Sequence, residues 1–190
     1  MTTTVNNKSE VVQSGTTISI DAMGGDLGPA AIVAGIVRVA QKNKRIHFLL
    51  HGQEEQLRKL VAKRRSLKGR VTIIDSVEVI KMEDKPSHVV RHGKATSMWS
   101  AIDSVRDGDA SVCVSCGNTG ALMAISMVRL RKLNGVNRPA IAILWPSSNP
   151  MGFNVMLDVG ADVRADPKDL LQYALMGVSY ARNGLGIAKP

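Results

Sequence analysis

The sequence predicts an α/β protein: a mostly parallel sheet covered by helices on both faces, with one antiparallel hairpin. Three observations carry that expectation. Short apolar or alternating stretches rich in β-branched residues recur from residue 16 onward, and helical periodicity fills most intervals between them. Those intervals are long enough for crossover helices, which parallel strands require and hairpins do not. One pair of strands, residues 140–144 and 153–157, is joined by a link too short for a helix, so that pair is expected to be antiparallel.

Taken in order, Thr17-Ile18-Ser19-Ile20-Asp21 alternates apolar and polar residues and reads as the first strand. Residues 23–28 form a glycine-rich turn. Pro29 suits the first turn of a helix, where its missing N–H is not needed, and Ile32, Val33, Ile36, Val37, Val39 and Ala40 continue at helical spacing. Residues 46–50 are a short buried strand. Residues 54–65 are a helix with Leu57, Leu60 and Val61 on one face and basic residues on the other. Residues 71–74 are a third strand. Residues 77–94 look irregular, with Pro86 breaking them. A helix over 96–105, ended by Asp107-Gly108, leads to a strand over 111–115 and an apolar helix over 121–133. Asp166-Pro167 opens the last helix, expected to run to about Arg182. The closing residues 186–190 read as the lead-in to another strand, so the sequence reads as a piece of a larger protein. The first 15 residues are polar, lack the apolar segment of a secretory signal, and read as a disordered leader.

Composition narrows the function. Aromatic residues make up 3% of the chain, too few for stacking on single-stranded nucleic acid. Two cysteines exclude a disulfide scaffold and fit a reducing compartment. No apolar run approaches the ~18 residues that a membrane span needs. The net charge of +9 is wholly contained in residues 38–70, which hold eleven Lys/Arg against two acids. Such a window is either a solvated helix face or a docking patch for an acidic partner. With Phe48 as its one aromatic residue, an acidic protein or lipid surface fits better than a nucleic acid.

In parallel sheets, ligands bind at the carboxyl ends of strands. That rule selects two loops. The first, Asp21-Ala22-Met23-Gly24-Gly25-Asp26-Leu27-Gly28, has glycines that allow close approach to a ligand and a helix start that offers free N–H groups. Asp21 and Asp26 would repel an anion, so they are expected to orient amides or pair with a cation. The plain alternative is a tight strand-to-helix turn. The second loop, Ser115-Cys116-Gly117-Asn118-Thr119-Gly120, places an amide and a hydroxyl between two glycines; Asn118 or Thr119 is then either an N-cap or an oxyanion donor. Between them, residues 85–97 form an apparently irregular cationic stretch suited to clamping phosphate. His88 and His92 share a helical face but lack a third ligand, so no metal is expected. Cys113 and Cys116 form a C-x-x-C that straddles a strand end, an arrangement poorly placed for redox chemistry.

Several motifs in this order resemble one family: Ile20 through Asp26; Lys85-Pro86 with Arg91, Lys94 and Ser97; Cys116-Gly117-Asn118-Thr119-Gly120-Ala121-Leu122-Met123-Ala124; Arg138-Pro139-Ala140; Leu157-Asp158-Val159-Gly160-Ala161-Asp162; and Gln172 through Gly177. Together they resemble the PlsX family of bacterial phosphate acyltransferases (acyl-acyl-carrier-protein:phosphate acyltransferases) of phospholipid synthesis, from about Ile18 to the end of the sequence, so residues 16–190 read as the amino-terminal portion of that family's domain. Cys116 stands where the family usually carries Ala. The resemblance implies a three-layer α/β/α fold like that of phosphotransacetylases and isocitrate/isopropylmalate dehydrogenases. It implies a cytoplasmic homodimer working at the inner membrane face, which turns acyl-acyl-carrier protein and inorganic phosphate into acyl phosphate for a glycerol-3-phosphate acyltransferase. It implies no metal or cofactor.

Such a reaction mainly needs a positioned phosphate and a stabilised oxyanion. On that basis Arg91 and Lys94 are expected to bind phosphate with Ser97 assisting. Asn118, Thr119 and the amides of Gly117 and Gly120 would stabilise the oxyanion or the phosphate. Asp21 and Asp26 would orient the first loop, and Gly24 and Gly25 would let it approach the substrate. Lys94, Asn118 and Thr119 make up the expected catalytic set. Two other readings remain: a phosphotransacetylase-like transferase using coenzyme A, and a catalytically incomplete fragment. A basic nucleic-acid-binding domain ranks last.

Overall fold

The computed structural model describes residues 15–159 and 165–190. The chain divides into two compact units, one ending at Arg131 and the other running from Lys132 to Pro190. All but one residue of the expected leader lies outside the described residues.

The first unit contains β1 (Thr17–Asp21), α1 (Gly28–Lys42), β2 (His47–Gly52), α2 (Glu54–Ala62), β3 (Val71–Asp75), α3 (Pro86–His92), α4 (Ser97–Arg106), β4 (Val112–Ser115) and α5 (Thr119–Arg129). The four strands form one sheet in the order β3-β2-β1-β4, and every pairing is parallel. The central strand β1 therefore sends the first loop out between its neighbours. Because successive side chains alternate, β1 serves two cores. Ile20 packs with Phe48 and Leu50 of β2 and with Val33, Ile36 and Leu57 of α1 and α2. Ser19 and Asp21 face the other way, toward α4, where Ser19 Oγ donates to the Ala101 carbonyl at 2.8 Å. A second apolar cluster joins Met98, Trp99 and Ile102 of α4 to Ala121 and Ile125 of α5.

The basic window is not a uniform solvated face. Arg58 and Lys59 pair with Glu54 and Glu55 one turn earlier on α2. Arg70 donates to the carbonyls of Ala40 (2.7 Å), Asn43 (2.5 Å) and Ile46 (2.8 Å), closing the carboxyl end of α1, where backbone acceptors would otherwise lack partners.

Several boundaries differ from expectation by two or three residues, among them the end of α2 at Ala62 and the start of the fifth strand at Ala142, and two readings differ by more. Residues 86–95 are not irregular. Pro86 opens α3 instead of breaking a segment, because at the first helical position its ring costs no hydrogen bond, and a 3-10 turn over Gly93–Ala95 follows. α5 stops at Arg129, four residues before the expected end, and Arg131 turns the chain with φ 66°.

The second unit holds an antiparallel hairpin, β5 (Ala142–Pro146) and β6 (Phe153–Leu157), and α6 (Pro167–Leu185). Asp166 caps α6 through the amides of Lys168 and Asp169, and Asp169 returns a bond to the Asp166 amide. Gly186 ends the helix in the left-handed region, φ 70°. Asp158, also left-handed at φ 57°, is buried; it accepts from the Tyr173 hydroxyl at 3.1 Å and the Ile141 amide at 3.3 Å. Gln172 accepts from the amides of Asn137 and Arg138 and donates to the Gly135 carbonyl, pinning residues 135–138 to α6. Gly160, Ala161 and Asp162 of that motif lie outside the described residues.

Candidate functional site

Asp21 ends β1 beside β4, in register with Ser115. Its carboxylate accepts from Ser97 Oγ at 2.6 Å, Ser115 Oγ at 2.7 Å and the Met23 amide at 3.3 Å. One buried acid thus ties the start of α4, the end of β4 and the first loop together. Ser115 Oγ in turn accepts from the Gly117 amide at 3.0 Å. The two glycine loops touch over this bond. A Cβ placed on Gly24 would lie 2.9 Å from Gly117 N, and one on Gly25, whose φ is +96°, would lie 3.0 Å from Cys116.

The second loop continues into α5, with Asn118 as its cap. Asn118 Oδ1 accepts from the Ala121 amide at 3.0 Å. Its amide nitrogen contacts three carbonyls, Lys81 (3.3 Å), Met82 (2.9 Å) and Asp84 (3.0 Å). Both ends of this buried side chain are occupied, so Asn118 holds residues 81–84 against α5 and has no donor left for an oxyanion. Ser97 is likewise 1% exposed, and its hydroxyl donates to Asp21. The Gly117 amide is taken by Ser115. The hydrogen-bonding groups of Asn118 and Ser97 and the Gly117 amide are thus engaged within the chain.

What stays open is a smaller set. Among the described residues the amides of Thr119 and Gly120, in the first turn of α5, have no hydrogen-bond partner, and Thr119 is exposed. Gly120 sits so close to α3 that a Cβ there would lie 2.9 Å from the Pro86 ring. Arg91, in the last turn of α3, and Lys94, in the following turn, are exposed and make no ion pair among the described residues. Asp26 is exposed and has no hydrogen-bond or ion-pair partner among the described residues, whereas Asp21 accepts from the Met23 amide of the first loop. The His88 and His92 rings lie 4.7 Å apart, and among the described residues no group of three potential metal ligands forms. Burial, with the Asp21 carboxylate nearby, pushes the Cys113 thiol up to about 12, so it stays protonated at neutral pH and is a poor partner for redox exchange with Cys116.

Behind Asp21 lies a polar network that the sequence reading passed over. His51, in register with Asp21 on the neighbouring strand, is fully buried. Ser19 Oγ lies 3.0 Å from its Nε2 and Ser100 Oγ 2.8 Å from its Nδ1. The single hydroxyl hydrogen of Ser19 goes to the Ala101 carbonyl, so Ser19 must accept from Nε2–H, and Nδ1 accepts from Ser100. The ring is neutral, and burial lowers its pKa to about 4. Its ordinary value is about 6.5, so between those values the unfolded chain binds more protons than the folded one. The stability that His51 contributes is complete above about pH 6.5 and lost as pH falls toward 4, on the order of 3 kcal/mol. Urea midpoints measured from pH 7.5 to 4.5 should fall accordingly, and His51→Gln should flatten the slope. A wild-type slope no steeper than the variant's contradicts this account. The sequence signal was present: Ser97, Ser100 and Ser104 line one face of α4 at helical spacing, where an apolar stripe would be usual.

Comparison with known proteins adds a second line of evidence. A family model described as "Fatty acid synthesis protein" matches residues 16–190. A phosphate acyltransferase of Ruegeria sp. (strain TM1040) is 70% identical over 175 residues, covering 92% of this chain and 47% of the relative. One from Dinoroseobacter shibae is 68% identical over 177 residues, covering 93% and 46%. The chain therefore spans about half the length of the curated relatives it matches. Among solved structures, the EutD phosphotransacetylase from Staphylococcus aureus superposes with a TM-score of 0.58 at 14% identity, over 88% of this chain and 53% of that one, a likeness of fold alone. Among the described residues, no helix is long and apolar enough to cross a membrane.

Proposed function

The chain belongs to the fatty acid synthesis protein family, and from that premise we propose that it carries the phosphate-handling loops of a phosphate acyltransferase. The reaction would join inorganic phosphate to the acyl group of acyl-acyl-carrier protein. A phosphate oxygen attacks the thioester carbonyl, the tetrahedral oxyanion collapses, and the carrier's thiolate leaves. Phosphate is nucleophilic enough and the thiolate leaves readily, so the protein's task is placement and charge stabilisation. The observation that supports this reading best is the junction of the two glycine loops at Asp21, in a chain whose relatives bear that activity's name.

In this reading the open amides of Thr119 and Gly120 and the Thr119 hydroxyl face the developing oxyanion. Arg91 and Lys94 supply charge for phosphate, and Asp21, Ser97, Ser115 and Asn118 hold the loops. The finer fold expectation, a three-layer sandwich of the isocitrate/isopropylmalate dehydrogenase kind, belongs to the same proposal. So do a homodimer, a place at the cytoplasmic membrane face, and delivery of acyl phosphate to a glycerol-3-phosphate acyltransferase.

The test joins this chain to the carboxyl-terminal half of the Ruegeria relative and measures acyl phosphate by hydroxylamine trapping. Carrier-bound donor should support the reaction and coenzyme A-bound donor should not; the opposite preference favours a phosphotransacetylase-like enzyme. No acyl phosphate from either donor overturns the proposal. The cations of the basic window without partners among the described residues, including the exposed Lys63, Arg64 and Arg65, suit docking of an acidic carrier protein. Changing these three to Glu should raise the apparent KM for the carrier-bound donor at least fivefold with kcat nearly unchanged, and wild-type KM should rise with salt. A salt-insensitive KM would reduce the window to a solvated face.

A further inference from the structure

A groove of about 310 Å³ runs between α1 and the sheet. Ile32, Ile36 and Val39 of α1 line one side, Ile20 and Val114 of the sheet line the other, and Cys116 of the second loop also lines it. Asp21 is its one charged lining residue, and that carboxylate is already bound by Ser97 and Ser115. From Ala31 to Val39 the groove follows α1 for about 12 Å at the 1.5 Å rise of a helix. Val39 and Val114 are exposed at 42% and 45%, so an apolar trough stands open to water.

We propose that this groove takes the alkyl tail of the acyl donor, with the tail lying along α1 and the carbonyl end at Cys116. The inference rests on the acyltransferase reading, and three features favour an acyl chain as occupant. The groove runs along α1, and its lining is apolar apart from Asp21, whose carboxylate is already bound. Its size is at the lower end for ligand pockets, which suits a slender chain more than a fused-ring ligand. Cys116 belongs to the loop whose open amides at Thr119 and Gly120 would meet a thioester carbonyl. A tail held there brings its own carbonyl to the carboxyl edge of the sheet, where the phosphate would be gathered.

Gly35 offers a way to test this without touching the loops. It lines the groove, and a Cβ on it meets nothing within 4 Å, so Gly35→Leu can grow into the groove with no clash at its root. The probes are bromoacetamide and N-dodecyl bromoacetamide, the latter kept below its micelle concentration. With each, the Cys116 sulfur forms a bond to the methylene carbon, the carbon–bromine bond breaks, bromide leaves, and the thiol proton goes to solvent. Mass spectrometry of the modified cysteine peptides gives the rates. The dodecyl reagent should modify Cys116 at least tenfold faster than bromoacetamide. Gly35→Leu should abolish most of that advantage while leaving the bromoacetamide rate unchanged.

Equal rates for the two reagents overturn the proposal, as does an advantage that survives Gly35→Leu. Protection of Cys116 from both reagents in the chimera with the Ruegeria half also overturns it, since protein would then cover the groove. Labelling needs neither phosphate nor carrier. Undirected labelling beside a working acyl-phosphate assay therefore removes the groove alone, and directed labelling beside a dead assay removes the reaction alone.

Discussion

Gly24→Ala is expected to lower stability by about 2–3 kcal/mol and acyl-phosphate formation by about 100-fold. The added methyl would lie 2.5 Å from Asp21 Oδ2, 2.9 Å from Gly117 N and 3.0 Å from Ser115 Oγ. None of these atoms is the loose end of a flexible side chain. The carboxylate is held by two serines, Ser115 is held between that carboxylate and Gly117, and Gly117 N is backbone. Relief can come only by parting the two loops, which misplaces every group that they carry. Gly35→Ala is the control: nothing stands within 4 Å of its Cβ, and alanine is the better helix former, so it should be neutral or stabilising. Urea titration reads the stability and hydroxylamine trapping in the chimera reads the rate. A Gly24→Ala midpoint equal to wild type would mean that the loops are not in contact as described.

Asp21→Ala should cost about 3 kcal/mol or more. It leaves the Ser97 hydroxyl, the Ser115 hydroxyl and the Met23 amide without their acceptor in a site that is 2% exposed, and a buried donor left unsatisfied costs about 1–3 kcal/mol. Asp21→Asn should recover part of the loss, because its carbonyl oxygen can still accept from Ser97 and Met23 while its NH₂ faces Ser115. The expected order of urea midpoints is wild type, then Asn, then Ala. An Ala variant as stable as wild type would show that the three donors find water instead, and the acid would lose its organising role.

The strands were legible because β-branched alternation and apolar runs are local: all six expected strands are present, and the short link expected at residues 145–152 was enough to predict the last pair as antiparallel. Boundaries that depend on tertiary contacts were less legible. Pro86 looked like a breaker because its neighbours are charged, but Val89 is buried, and packing of α3 against α5 makes the segment helical. The two loops could be picked out from glycine spacing and strand ends. Which of their polar groups remain available could not, because that depends on partners far away in sequence: Asn118 is occupied by carbonyls 34 to 37 residues earlier, and Ser97 by an acid 76 residues earlier. His51 was missed for a related reason. A single histidine at a strand end has no pattern of its own, and its meaning comes from a serine face on a helix that follows about fifty residues later.

The all-parallel order of the first sheet also dictates when the site can exist. Ile18 pairs with Val112, so the central strand must wait for a neighbour 94 residues downstream before Asp21 can meet Ser115. At ribosomal speeds of roughly 5–20 residues per second, that interval lasts about 5–20 s, during which the first loop has been synthesised without its counterpart. Closing so long a loop is the slow, entropically costly kind of contact. A fluorophore reporting on the Asp21–Ser115 junction would therefore time the final event in the maturation of this unit, after the β1–β2–β3 ladder is already in place.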